Sequence, residues 1–248
     1  EEESPNRLTR VSTRANLNVT LQQNADIDVN VGYVTQDLRL PQSDDSGTDG
    51  ILGNAYAGPG FKYNVTSTGD TLFGWRQFTP RDTYQQTTTQ AVERFIGGLN
   101  PRWRPVDWLA VNGTFGVDFI MRHETQICRF GECPPNGENR LGFKADNRTN
   151  FYTYTSKASA TATRRLRDDL ESKTTLGGEY YRNIFTRNGA FARDLPPGAT
   201  TVTAGSREFA DETNNETRTL GGFLEQNLAF RDRLFVTAGI RSDRNSAF

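Results

Sequence analysis

The stretch that decides the fold is RVSTRANLNVTL, from Arg10 to Leu21. Its odd positions are Val11, Thr13, Ala15, Leu17, Val19 and Leu21, and its even positions are Arg10, Ser12, Arg14, Asn16, Asn18 and Thr20. A period of two over so long a run specifies an extended strand with one apolar and one polar face. Ordinary strands run about 5–6 residues, so the length favours a strand that crosses a membrane, with lipid on one side and a wet interior on the other. On that reading Arg10, Arg14, Asn16 and Asn18 face the interior.

Working outward, a polar break at Gln22 to Ala25 leads into Ile27, Val29, Val31 and Tyr33, with Asp28, Asn30 and Gly32 between them. The two runs predict a hairpin with a tight turn, and Asp28 and Asn30 join the lumen-facing set. A second pair follows: Phe95, Gly97, Leu99 and Trp103, a break at Arg104 to Asp107, then Leu109, Val111, Gly113, Phe115, Val117 and Phe119. A third has Tyr152, Tyr154, Ala158, Ala160 and Ala162, a charged turn near Arg165 to Glu171, and Leu176, Gly178 and Tyr180 returning. The fourth has Leu220, Gly222, Leu224, Leu228 and Phe230, a break at Arg231-Asp232-Arg233, then Leu234, Val236, Ala238 and Ile240.

Between pairs lie long polar segments, from Asp37 to about Tyr84, around the cysteines, and from about Thr186 to Glu216. A compact soluble domain seldom holds a structureless loop beyond ~12–15 residues. Short turns at one end of the hairpins and long loops at the other predict an all-β, antiparallel transmembrane β-barrel with short periplasmic turns and long extracellular loops. The chain would supply about eight of its strands. Trp103 and Trp108 flank one short turn, where an interfacial aromatic girdle would place them.

Composition agrees. Of 248 residues 34% are apolar, below the roughly 45–50% usual for globular chains, so a single soluble core would be under-filled. Period two excludes a disordered chain. The longest apolar runs, Leu234 to Val236 and Phe95 to Leu99, fall far short of the ~18 residues of a membrane helix. A net charge of −1 offers no field for nucleic acid. The opening Glu1-Glu2-Glu3-Ser4-Pro5 lacks the basic and apolar regions of a signal peptide, and the chain is expected to begin after one; both ends read as cut.

Residues with chemistry are few. Cys128 and Cys133, in CRFGECPPNGENR, suit a small disulfide loop in an oxidising compartment; two thiols with only His123 nearby do not complete a zinc site. His123 is the only histidine, and its neighbour Glu124 would point to the opposite face of a strand, so a solvated loop-edge histidine is expected. Asp44, Asp45, Asp49 and Gly50 echo a calcium loop but lack its alternating oxygens and closing Glu. Asn-x-Thr triplets begin at Asn18, Asn64, Asn112, Asn147 and Asn215, with Asn18 and Asn112 inside predicted strands, which argues against glycosylation. Arg164, Arg165 and Arg167 beside Asp168 and Asp169 read as a solvated turn. No phosphate-binding loop or dinucleotide fingerprint occurs, so no catalytic residue, metal site or cofactor is expected.

The segments GYVTQDLRLPQSDDSGTDGILGNAY from Gly32, RWRPVDWLAVNGTFGVDF from Arg102 and RDRLFVTAGIRSDRNSAF from Arg231 resemble stretches of the SusC/RagA family of TonB-dependent outer-membrane receptors. The resemblance runs over most of the chain, apart from about 130 to 150 and 185 to 215. It implies a plugged barrel of about 22 strands that imports nutrients such as oligosaccharides or peptides. The implied partners are a SusD-like surface lipoprotein, the TonB–ExbB–ExbD complex, outer-membrane lipid and the nutrient ligand. Residues 1–248 would be a partial barrel domain, with plug, TonB box and signal peptide absent; no ligand-contact residue carries over. The alternatives are a passive porin and, less favoured by strand length, a soluble carbohydrate-binding or adhesin module. Eight strands cut from a larger barrel expose two edges and a bare lipid-facing surface, so such a piece would need detergent.

Overall fold

The computed structural model describes residues 6–40, 50–61, 64–66, 69, 71–133 and 140–247. Its strands are β1 (Arg7–Gln22), β2 (Ala25–Leu40), β3 (Thr87–Val106), β4 (Leu109–Cys128), β5 (Phe143–Arg167), β6 (Leu170–Arg193), β7 (Arg207–Phe230) and β8 (Leu234–Asn245). They form one 8-stranded antiparallel sheet in sequence order, open between β1 and β8. Two one-and-a-half-turn helices, α1 (Ile51–Tyr56) and α2 (Pro80–Gln85), lie in the connection from β2 to β3.

The register fixes the two faces. Leu17 lies opposite Val29, Val29 opposite Leu99 and Leu99 opposite Phe115, and the same row continues through Ser156, Tyr180 and Leu220. Neighbouring rows on this face include Val111, Ala160, Leu176, Leu224 and Ile240. The alternation predicted within each hairpin therefore stays in phase across all eight strands. Among the described residues nothing covers this apolar face: Leu176, Leu220 and Ile240 are 62%, 59% and 71% exposed. The buried apolar side chains among the described residues, Leu72, Phe78, Cys128, Phe143, Ala192 and Leu195, all belong to the long connections or the strand ends beside them. A single-layer sheet with so broad an apolar face has no soluble core, and lipid is the medium that suits it.

The apolar band has a definite height and slope. On β7 it runs from Leu220 to Phe230, which at ~3.3 Å per residue and a tilt near 40° spans roughly 25 Å, the height of an outer-membrane barrel's apolar zone. Its upper limit is Tyr33 on β2, Phe95 on β3, Phe119 on β4 and Tyr152 on β5, cross-strand neighbours with Phe95 and Phe119 centroids 6.3 Å apart and Phe119 and Tyr152 5.4 Å apart. In register Tyr152 faces Ile184, the last apolar outward residue of the band on β6, and the band then tops out lower, at Leu220 on β7 and Ile240 on β8. That descent is the stagger of strands inclined to a barrel axis.

Backbone bonds lace the short turns together. Arg104 donates its amide to the Asn24 carbonyl at 2.7 Å, Thr163 to Trp108 at 2.8 Å, and Arg231 to Asp169 at 2.8 Å. Arg231 and Asp232 both adopt positive φ, 52° each, which gives the right-handed hairpin twist of a primed turn. The Arg164 guanidinium lies over Trp108 at 3.9 Å from the ring centroid, capping the girdle at this end.

The strands are longer than the pattern indicated. The segment Thr186 to Glu216 is not one loop: β6 continues to Arg193 and β7 starts at Arg207, leaving 194–206 as the connection. Beyond the apolar band both faces are polar, so alternation vanishes although pairing continues. For the same reason β2 reaches Leu40 and β5 starts at Phe143, ahead of the first apolar-periodic Tyr152. The turns tighten to Asp107-Trp108 and Asp168-Asp169: the second lies inside the predicted Arg165 to Glu171 break, whereas the first is shifted from the predicted Arg104 to Asp107, so Trp108 lies in the turn instead of flanking it.

Charge placed in the middle of the apolar band should cost far more than charge behind it. In full-length protein refolded into lipid vesicles, Leu224→Arg is expected to lower unfolding stability by about 2–4 kcal/mol, while Thr155→Arg on the polar face changes it by about 0.5 kcal/mol or less. Urea unfolding measures both; equal costs would contradict the assignment of faces.

Candidate functional site

The face opposite the apolar band carries the polar side chains, and the six predicted lumen residues lie together on it. Asn16 pairs with Asn30 and Asn18 with Asp28, while Arg10 lies opposite Gln36 and Arg14 opposite Gly32. Asn18 donates its side-chain amide to Asp28. From β3, Arg102 reaches both Asp26 at 2.6 Å and Asp28 at 2.9 Å, so this corner is one cross-hairpin network.

Further along the same face are residues the sequence left unassigned. Arg94 on β3 makes a two-pronged ion pair with Asp118 on β4, with Nε to Oδ1 at 2.8 Å. Glu179 on β6 receives Lys157 from β5 at 3.4 Å and Arg241 from β8 at 3.1 Å, and Arg241 also bonds Asp243 at 2.8 Å. Lys157 lies over the Tyr181 ring at 5.2 Å. Toward the long connections, Arg187 pairs with Asp211 at 3.0 Å and Gln90 with Glu124 at 2.6 Å. Partly exposed pairs of this kind contribute about 0–1 kcal/mol each. Their effect is to hold long side chains in fixed positions along the face. Parity is their sequence signal: Arg94–Asp118, Lys157–Glu179 and Gln90–Glu124 each join the two strands of one hairpin, whereas Glu179–Arg241 and Arg187–Asp211 join different hairpins.

The polar face is not uniformly polar. Phe151 and Phe185 are cross-strand partners with centroids 4.8 Å apart, and nearer the long connections Phe191 contacts Phe143 at 6.0 Å and Phe209 at 6.2 Å. Two aromatic ladders thus flank the Arg187–Asp211 level. An interior-facing phenylalanine breaks the binary pattern of a strand, so no alternation marks these residues.

At that end, Cys128 and Cys133 are bonded to each other, and Cys128 is buried beside the equally buried Phe143 and Leu195. Asp194 adopts φ 58° just past β6, sends its amide to the Gly142 carbonyl at 3.0 Å, and holds Arg207 at the start of β7 at 2.6 Å. Lys144 closes on the Thr200 carbonyl at 3.0 Å. In the β2–β3 connection, buried Asn54 accepts from the amides of Gln77 and Phe78 at 2.9 and 3.0 Å and donates to the Gly50 carbonyl at 2.9 Å. Thr79 and Asp82 form a capping box on α2.

His123 is not at a loop edge. It lies within β4 opposite Arg148, above the aromatic row on the apolar side, with Nε2 2.8 Å from Asp146. That part of β4 is polar on both faces, so no alternation marks it as strand. Glu124 does point the other way, to Gln90. Among the described residues no three His, Cys, Asp or Glu side chains converge as metal ligands. The acidic run Asp44, Asp45 and Asp49 lies outside the described residues. Asn147 and Asn215, like Asn18 and Asn112, lie in strands.

No family model and no curated protein matches the sequence. Solved structures do share its fold. The RagAB peptide transporter superposes with a TM-score of 0.80 at 15% identity, over 98% of this chain and 28% of that one. The RagAB peptide importer in its "open-open" state gives 0.80 at 13% identity, over 98% of this chain and 28% of that one. BauA, the ferric preacinetobactin receptor from Acinetobacter baumannii, gives 0.50 at 11% identity, over 97% of this chain and 35% of that one. The chain thus spans about 28% of the length of the RagAB chains it matches. At these identities the likeness is one of fold: this sheet follows a continuous stretch of those transporter and receptor chains.

The Asp194–Arg207 contact sets a pH limit on the β6–β7 connection. The hydrogen bond from Arg207, with its positive charge, holds the Asp194 carboxyl below the ordinary aspartate range. A depressed folded value adds stability that is complete above the unfolded pKa of about 3.9 and disappears as pH falls through the folded value. Amide exchange at Ser206, whose N–H bonds the Asp194 carbonyl, should therefore keep its protection from pH 7 to about 5 and lose it only below about pH 4. Asp194→Asn should abolish that acid transition. A loss of protection already complete at pH 5 would contradict the pairing.

Proposed function

We propose that this chain is part of the barrel wall of an outer-membrane, TonB-dependent receptor of the SusC/RagA kind, which imports an oligosaccharide or a peptide. The single observation that carries the reading is the two-faced sheet: an uncovered apolar band eight strands wide, in phase on every strand, backed by a face of cross-linked polar side chains. Support comes from the 0.80 superposition on RagAB, a peptide transporter, along nearly the whole chain. Peptide is the better-supported cargo on that ground, and the sequence resemblance leaves oligosaccharide beside it.

On this reading the polar face lines the lumen, with Arg10, Arg14, Asn16, Asn18, Asp28 and Asn30 in one sector of it. The long connections face the cell exterior and the short turns the periplasm. The partners would be a SusD-like surface lipoprotein above the barrel and the TonB–ExbB–ExbD complex below, the latter acting through parts of the protein other than these strands. The proposed role is transport, with no catalytic step assigned to any residue.

A passive porin is separated from an energised receptor by its energy requirement. Full-length protein should fractionate with the outer membrane, and deleting its gene should abolish growth on oligopeptide or glycan as sole nutrient. Deleting tonB should have the same effect. Growth that depends on the gene but survives loss of tonB would establish a passive channel instead, and recovery in the soluble fraction would overturn the barrel reading.

A further inference from the structure

The upper limit of the apolar band changes character along the sheet. From β2 to β5 it is a row of rings, Tyr33, Phe95, Phe119 and Tyr152. From β6 to β8 guanidinium groups enter on the outward side: Arg182 between Tyr180 and Ile184 on β6, Arg218 one step above Leu220 on β7, and Arg244 two steps above Ile240 on β8. Three adjacent strands thus carry a guanidinium within two steps of the rim of the band, all pointing outward.

Arg182 and Arg218 are direct cross-strand partners. Like charges placed so are mutually repulsive, and the sheet offsets this with Glu216, whose carboxylate takes Arg182 at 2.7 Å and also binds Arg218. One carboxylate against three guanidinium groups leaves the cluster with two uncompensated positive charges. The side chain of Arg218 is 57% exposed and Arg244 is exposed as well, so their donors remain open to the surroundings. Arg218 is also held from behind: its backbone amide donates to the Ser246 hydroxyl at 2.8 Å. The rings of Tyr154 and Tyr180 adjoin Arg182 and Arg218 on the same face, since Tyr154 lies opposite Arg182 and Tyr180 opposite Leu220.

We infer that Arg182, Arg218 and Arg244 form an outward-facing site for the phosphate of an anionic outer-leaflet lipid headgroup. This rests on the membrane reading above. At the level where acyl chains end, the group that meets an outward guanidinium is a headgroup, and a planar donor fork suits phosphate oxygens. The tyrosines would lie along the sugar or glycerol portion at the interface. Competition between Glu216 and the phosphate for the same donors makes the site tunable by a single carboxylate.

The test uses full-length protein in dodecyl maltoside, titrated with bis-phosphorylated lipid A, with phosphatidylcholine, and with inorganic phosphate, binding being read by native mass spectrometry. Lipid A should bind and phosphatidylcholine should not compete. Arg218→Gln and Arg244→Gln should each weaken lipid A roughly fivefold, from about 1 kcal/mol per basic residue at a charged surface. Glu216→Gln should tighten binding, an outcome that a purely structural role for the three residues would not produce. Binding unchanged in the arginine variants, or weakened by Glu216→Gln, would overturn the site. Displacement of lipid A by inorganic phosphate at equal concentration would overturn the lipid as its ligand and leave a free-anion site. A fluorophore on a cysteine at Leu224 checks the underlying reading: quenching by brominated acyl chains with unaltered lipid binding in the variants removes only the headgroup site, whereas absence of quenching removes the membrane reading itself.

Discussion

Everything in this sheet depends on the backbone hydrogen-bond ladder that joins β1 to β8 without a break in register parity. Inside hydrocarbon no water is available to an unpaired amide or carbonyl, so a strand can cross only if its neighbours satisfy it on both sides. Once paired, alternate side chains on each strand are committed to opposite faces, and parity propagates from hairpin to hairpin. The shifts near the turns, between Thr20 and Gln22, Trp103 and Val106, and Arg165 and Arg167, lie at the strand ends, where they bend the chain without moving side chains of the band to the wrong face. Among the described residues β1 and β8 each retain one unpaired edge, which in a complete barrel further strands would take up.

The two faces then follow different rules. On the apolar side alanines, leucines and glycines fill most of the band, the polar Gln226 within it is satisfied by Thr174 and Ser172 of the neighbouring strand, and rings and arginines collect near its rim. On the polar side, charges are arranged in pairs that span three or four strands, as Lys157, Glu179, Arg241 and Asp243 do from β5 to β8. Such chains of ion pairs tie hairpins together through side chains as well as backbone. The phenylalanine ladders interrupt that network at two levels, giving the interior apolar patches between charged rows.

How much of this was legible follows from where alternation holds. In Arg10 to Leu21 and in Leu220 to Ile240 one face meets lipid and the other water, so parity is written in every second residue and the strands, their faces and the tight turns could be read directly. In Thr186 to Glu216 both faces are wet, so Arg187, Asn188, Asp211 and Glu212 carry no alternation, and a paired region reads as a loop. His123 suffered the same misreading. The polar-face set on β1 and β2 follows from parity alone, but the pairings of Glu179 with Arg241 and of Arg187 with Asp211 depend on cross-hairpin register, which no local pattern encodes. The bond between Cys128 and Cys133 was readable because both its partners lie in a single short segment.

The central claim is that one face of this sheet lies in hydrocarbon and the other in water. The measurement that tests it most directly is a nitroxide scan along β7 of the full-length protein in lipid bilayers, one cysteine at a time from Thr219 to Phe230, comparing collisions with oxygen and with a water-soluble nickel chelate. Oxygen accessibility should peak at Leu220, Gly222, Leu224, Gln226 and Leu228 and nickel accessibility at the positions between, a strict period of two with opposite phases. Two accessibilities that rise and fall together, or neither with period two, would contradict it.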